Sequence, residues 1–360
     1  MPPRTPGTSL TPHRHRPRRS TREHGTALSF ARMTRNSDIA RRTAAVLCAT
    51  AALTGLSAAP PERPGPVVHV ANLHSDTVSV VDIRTGAVVD DIPVGDGPDS
   101  VAVSPDGARL YVTDSGADTV SVIDTRTRTV VDTITVGREP SRATVSPDNE
   151  RVYVANVGAD TVSVISTRTG TVTDTIAVGD APLGLAVTPD GRTLYVANAG
   201  SDSVSVVRTD SGTVTGAVPV GAGPTALALA PDCRHLYVSN LTSDDVSVVD
   251  IREGAETARV PVGDQPAGIG VRPDGRRVYV ADIGSDTVSV IDTRRHTVTD
   301  TIPVGDGPNG LAVDPDGSRV YVSNFDSDTL TVIDTETATP TATVPVGDGP
   351  TGVATQPAPR

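Results

Sequence analysis

The chain of 360 residues carries six Tyr, two Phe and no Trp, and its 31 cationic side chains are all Arg. So few rings exclude the aromatic stacking platforms that bind single-stranded nucleic acid, sugars or quinones, and 33 Gly with 30 Pro make a turn-rich chain that falls short of the roughly 25–30% of a low-complexity one. The net charge of −12 hides an asymmetry: residues 1–42 hold ten Arg against Glu23 and Asp38, leaving 21 Arg against 41 acids beyond them, a body that repels nucleic-acid backbones and anionic lipid.

From Met33 the chain reads MTRNSDIARR, then TAAVLCATAALTGL, then SAAP. A cationic start, a short apolar run and a small-residue exit are the three parts of a secretory signal, and the run is too short to span a bilayer. Cleavage is expected near Ala58 or Ala59. Residues 1–32 are expected to be an over-extended start with Met33 as the initiator, the alternative being a disordered basic arm. The expected organisation is a basic leader and signal over 1–59, a Pro-rich linker over 60–66, the folded body over 67–356 and a tail over 357–360. The product is expected to be secreted or held at the cell envelope, with no membrane insertion once the signal is removed. Cys233 is then the one remaining thiol, so stability must come from packing and not from an intrachain disulfide.

Within the body Tyr111, Tyr153, Tyr195, Tyr237, Tyr279 and Tyr321 recur every 42 residues, and His69 stands 42 before the first. The seven units read alike, from HVANLHSDTVSVVD at His69 to YVSNFDSDTLTVID at Tyr321. Each contains four short runs rich in Val, Ile and Thr, separated by turn residues; SPDG supplies Pro and Asp for a tight turn and Gly for its left-handed position. Four strands per unit of about 42 residues mark a propeller, whose radial closure hides sheet edges that would otherwise be exposed. With the strands named A to D and A preceding SPDG, the first unit starts directly at strand B (Pro66 to Asn72), while the chain ends on a lone A strand (Thr351 to Thr355). The expected fold is therefore all-β: a seven-bladed β-propeller of 42-residue four-stranded repeats, closed by a C-terminal A strand that completes the N-terminal blade.

The units YVAN, SDTVSVID and VGDGP followed by GLAV, with SPDG between them, make the chain similar to the YVTN-type β-propeller repeat family of surface-layer-type extracytoplasmic propellers, over roughly residues 66 to 356. The resemblance implies the fold strongly and an activity weakly. That family is mostly uncharacterised, and related propellers serve as lactonases, lyases, redox domains and surface modules.

A residue repeated in every blade serves every blade, so a site is expected where the repeat departs from itself. The acid closing each B–C loop (Asp76, Asp118, Asp160, Asp202, Asp244, Asp286, Asp328) is expected to bond its own turn backbone, as are Asn72, Asp114 and their equivalents before it. A calcium site is the alternative, without EF-hand or glycine-rich nonapeptide spacing to support it. The D–A loops lie nearest the channel, where Asp96, Asp180, Asp264, Asp306 and Asp348 make an acidic rim with Asp99 and Asn309 just inside it. Arg138, Glu139 and Arg142 are the sharpest departure, either an anion clamp or partners of rim Asp. His74 in blade one and Phe325-Asp326 in blade seven break the B–C pattern.

There is no Cys-x-x-Cys-His haem motif, no phosphate loop and no G-x-S-x-G elbow, and the scattered His make no metal cluster. No metal or cofactor is expected. The ligand-binding candidates are thus His74, Asp99, Arg138, Glu139, Arg142, Asn309, Phe325 and Asp326. The expectation is a monomeric, non-catalytic scaffold that binds a small ligand or a cell-envelope or protein partner at the channel mouth, and no nucleic acid. The alternative is a lactonase- or lyase-like enzyme using His74, Asp326 and Asp99 at the same mouth.

Overall fold

The β-branched runs form 28 strands in a computed structural model that describes residues 66–356; the leader, the signal, nearly all of the linker and the tail lie outside the described residues. Seven four-stranded antiparallel sheets result, each ordered A-B-C-D. In blade 1, strand A is Pro350–Gln356, paired with B (Val67–Asn72), then C (Thr77–Asp82) and D (Ala87–Pro93), so the ends of the body meet in one sheet. Blade 2 comprises Pro98–Val103, Arg109–Asp114, Thr119–Asp124 and Thr129–Thr135, and blades 3 to 7 repeat it at intervals of 42 residues. Strands B and C are buried on both faces by the neighbouring blades, which is why they read as continuous Val, Ile and Tyr and not as an alternating pattern. In strand D only the sixth residue is buried, as with Ile92, Ile176 and Ile302.

The core consists of seven seams between blades. Tyr237 of blade 5 packs with Val246 and Val260 of its own blade and with Ile269, Val280 and Ile291 of the next; burying each such ring contributes about 2–3 kcal/mol. His69 takes this place in blade 1 and is 1% exposed. Its Nε2 lies 2.9 Å from Gln356 Oε1, and Gln356 Nε2 donates to the Gly107 carbonyl of blade 2. The last described residue thereby ties the closing strand to both neighbours. Burial pushes the His69 imidazole below its ordinary pKa, and the Gln356 hydrogen bond opposes this only in part.

The repeated loop acids differ from expectation. All seven B–C aspartates adopt left-handed backbone, with φ between 47° and 57°, a region Asp tolerates better than most residues. Their carboxylates do not bond their own turns. Each accepts the N–H of the residue 21 further on, in the D–A loop entering the next blade: Asp76 from Gly97, Asp118 from Glu139, and so on to Asp328 from Gly349, which closes the ring. These residues are staples between blades. Their partners are remote in sequence, so local turn chemistry does not reveal them.

The residue ending strand B is likewise no turn former. Asn72, Asn156, Asn198, Asn240 and Asn324 are fully buried, and their side-chain amides donate to hydroxyl or carboxylate oxygens of strand C. In blades 2 and 6 Asp114 and Asp282 stand there instead, and the hydroxyls of Ser121 and Ser289 donate to them.

Candidate functional site

The A strands form the inner wall of the ring, each opening with a Pro that leaves the D–A loop. The third residue is Gly in four blades because adjacent A strands nearly touch there. A Cβ on Gly268 would lie 2.5 Å from the Asn309 carbonyl, and one on Gly352 would lie 2.6 Å from Ser100 Cα. Blade 3 breaks this rule with Arg142. The second residue is Asp99, Ser141, Leu183, Thr225, Ala267, Asn309 and Thr351 in blades 2 to 7 and 1. Ser141, Thr225 and Thr351 donate to backbone carbonyls. Asp99 and Asn309 make no side-chain hydrogen bond among the described residues, although both are half-buried.

Asp99 and Arg142 come from adjacent A strands and interact through their charges, without a direct ion pair among the described residues. Both are walled in by protein and keep only partial exposure. Desolvation pushes the Asp99 carboxyl up to about 6, against the pull of the Arg142 guanidinium. The same burial lowers Arg142, with Asp99 opposing, and a guanidinium remains charged throughout. The pair therefore offers a carboxylate that takes up and releases protons near neutrality, beside a fixed fork of donors able to hold a developing negative oxygen.

The expected Arg138, Glu139 and Arg142 clamp is divided between two places. Arg138 and Glu139 are exposed on the D–A loop. Arg138 donates to the Gly158 carbonyl of the adjoining B–C loop rather than to a rim Asp, and Glu139 fills a left-handed position, φ 50°, that is Gly in four other blades. Only Arg142 belongs to the inner wall. His74 and Phe325 do meet, edge to face with ring centroids 5.3 Å apart, over Gly349 at the seam of blades 7 and 1. Asp326 is exposed beside Gly307 of its own D–A loop. No described hydrogen bond or ion pair joins His74 to Asp326 or to Asp99, so the expected trio is not assembled.

The charge coupling of Asp99 to Arg142 escaped prediction, though a signal existed. Residues 42 apart are equivalent in neighbouring A strands, so a pair 43 apart stands one register step from alignment. A cleft of about 440 Å³ lies elsewhere, between blades 2 and 3, lined by Arg109, Tyr111, Asp132 and Arg168. Arg109 there is already paired with Asp124, and a smaller, less polar groove of the same kind recurs between blades 4 and 5, which makes it a product of blade packing.

The chain matches the family described as Lactonase, 7-bladed beta-propeller, over residues 65–218 and 214–353. No curated protein matches it. Among solved structures it is similar to the hydrazine synthase of Kuenenia stuttgartiensis, at 26% identity and TM-score 0.68, covering 79% of this chain and 99% of that one. It is also similar to a functionally unknown protein of Desulfotomaculum acetoxidans, at 18% identity and TM-score 0.73, covering 81% and 99% of the two chains. A Bacteroides fragilis protein assigned as a candidate 6-phosphogluconolactonase matches at 19% identity and TM-score 0.70, covering 82% and 99%. The two likenesses below 20% speak for the fold alone. The family match overturns the expectation of a non-catalytic scaffold and favours the enzyme alternative. On the inner wall, Asp99 is a desolvated carboxylate without a hydrogen-bond partner among the described residues.

Proposed function

The chain belongs to the seven-bladed β-propeller lactonase family, and from that premise we propose that it is a hydrolase that opens the ring of a small lactone just inside the D–A mouth of the channel. Asp99 acts as general base: its carboxylate takes a proton from water, whose oxygen attacks the lactone carbonyl. Arg142 donates to the carbonyl oxygen as negative charge develops on it. When the ring C–O bond breaks, the proton held by Asp99 goes to the leaving alkoxide, giving a hydroxy acid. Asn309, polar and without a side-chain hydrogen bond among the described residues at the same level of the wall, orients the substrate. His74 and Phe325 border the mouth at the closing seam.

The single observation carrying this function is the Asp99 and Arg142 pair on the inner wall of a ring of this family. Within the family the repeat motif supports a YVTN-type branch, and the signal-like segment after Met33 supports export to the cell exterior or envelope. The deciding experiment is a pH-stat assay with unsubstituted γ- and δ-lactones. Turnover should rise with pH through about 6 as Asp99 ionises. Equal turnover by wild type and Asp99→Asn would remove Asp99 from the mechanism.

A further inference from the structure

The loops around the two ends of the channel differ in charge. On the end where the site lies, the B–C and D–A loops together carry fourteen acids and one arginine, Arg138, among the described residues. On the opposite end, the A–B and C–D turns carry eleven acids and eleven arginines. The chain contains no Lys to alter this balance. Asp99 and Arg142 are the second and third residues of their A strands, so they sit close under the acidic end and about 10 Å or more of strand from the balanced one.

Each D–A aspartate stands three residues before the second wall position: Asp96 before Asp99, Asp306 before Asn309, Asp348 before Thr351. Three residues span at most about 10 Å, comparable to the Debye length of roughly 8–10 Å at physiological salt. The rim charges therefore act on any molecule entering this mouth. Inside it, ionised Asp99 and Arg142 cancel, so the wall supplies no net positive charge to compensate.

Resting on the lactone-hydrolase function proposed above, we infer that the substrate is an uncharged or cationic lactone and that a phosphorylated lactone is selected against. A phosphate brings close to two negative charges past the acidic loops, where the one guanidinium, Arg138, already donates to the Gly158 carbonyl, and finds inside only Arg142, already engaged electrostatically by Asp99. A neutral lactone meets no such opposition, and a cation is drawn in by the same field. Charged mouths of this kind change encounter rates by factors of about 10 to 1,000, and the effect weakens as salt rises.

The test uses the full chain and two matched pairs: glucono-δ-lactone with its 6-phosphate, and γ-butyrolactone with its α-trimethylammonio derivative. The kcat/KM of each is measured at 10 mM and 300 mM salt, and again in the variant Asp96→Asn, Asp180→Asn, Asp348→Asn, whose substitutions lie outside the proposed catalytic pair. Expected is at least a tenfold lower kcat/KM for the phosphate than for its parent at low salt, and a severalfold gain from the trimethylammonio group. Both differences should shrink at high salt and in the rim variant, while γ-butyrolactone itself is unchanged. A phosphorylated lactone opened as fast as its parent or faster overturns the charge selection and leaves the hydrolase intact. If no lactone is opened above the Asp99→Asn background, the hydrolase function fails and the substrate class falls with it.

Discussion

Asp99 and Asp282 are both pushed up to about 6 by desolvation, yet they occupy different parts of the ring. Asp282 ends strand B of blade 6, is fully buried, and accepts from Ser289 at 2.7 Å and Thr287 at 3.3 Å. Five blades place Asn there and blade 2 places Asp114, so the position serves to join strands B and C. Asp99 stands on the inner wall, makes no side-chain hydrogen bond among the described residues, and is the only acid at its position in the seven blades. A raised proton affinity by itself thus does not mark a functional carboxylate. Comparison of each blade with its six copies separates the two: the Asp282 position recurs as Asn or Asp with the same strand-joining bonds, whereas the Asp99 carboxylate has no counterpart.

Exchanging each acid for its amide should separate the two sites most strongly. Asp99→Asn should lower lactone turnover by about 10²- to 10⁴-fold, the usual worth of a general base, with the fold intact by circular dichroism. Asp282→Asn should leave turnover unchanged and stabilise the protein. Folding raises the proton affinity of Asp282 from 3.8 to about 6, so between those values the folded state binds more protons and stability falls as pH rises. Above about pH 6 the wild type carries the whole penalty, on the order of 3 kcal/mol. Chemical denaturation should therefore show a gain of up to about that size at pH 7 to 8 and none below pH 4. Equal gains at both pH values would show that Asp282 is not the group responsible.

Asp244→Ala removes the staple to Gln265 and places Ala at φ 54°, which should cost about 1–2 kcal/mol. Asp244→Gly, free of the backbone strain, should recover part of that loss in the same melt. At the closing seam His69 has a lowered affinity for protons, so its contribution is present above its ordinary value of 6.5 and is lost as the unfolded chain takes up a proton below it. His69→Tyr, the residue of the other six blades, should flatten the fall in Tm between about pH 6.5 and 5. An unchanged acid limb would place that titration elsewhere.

The positions of the blades were legible because the 42-residue spacing of Tyr and the turn residues around it are local features. The closing strand, expected at Thr351 to Thr355, spans Pro350–Gln356. Of the site, Asp99, Asn309 and Arg142 were visible as departures from the repeat, and the meeting of His74 with Phe325 followed from the adjacency of blades 7 and 1. The clamp divided because Arg138 and Glu139 precede Pro140 on an exposed loop, while Arg142 follows it on the inner wall. Adjacent positions in sequence thus fell on opposite sides of the mouth's edge.

By itself the sequence determined the number of blades, the strands within each, the identity of the seam residues and the net acidity of the body, since all of these depend on periodic patterns and on composition. Only the tertiary structure decided that the loop aspartates bind the next blade, that Asp99 feels Arg142, and that His69 meets Gln356 of the closing strand. Those outcomes depend on which residues, 21 or 43 apart or at opposite ends of the chain, are brought within a few ångströms when the ring closes, and on how much water is excluded around them when it does.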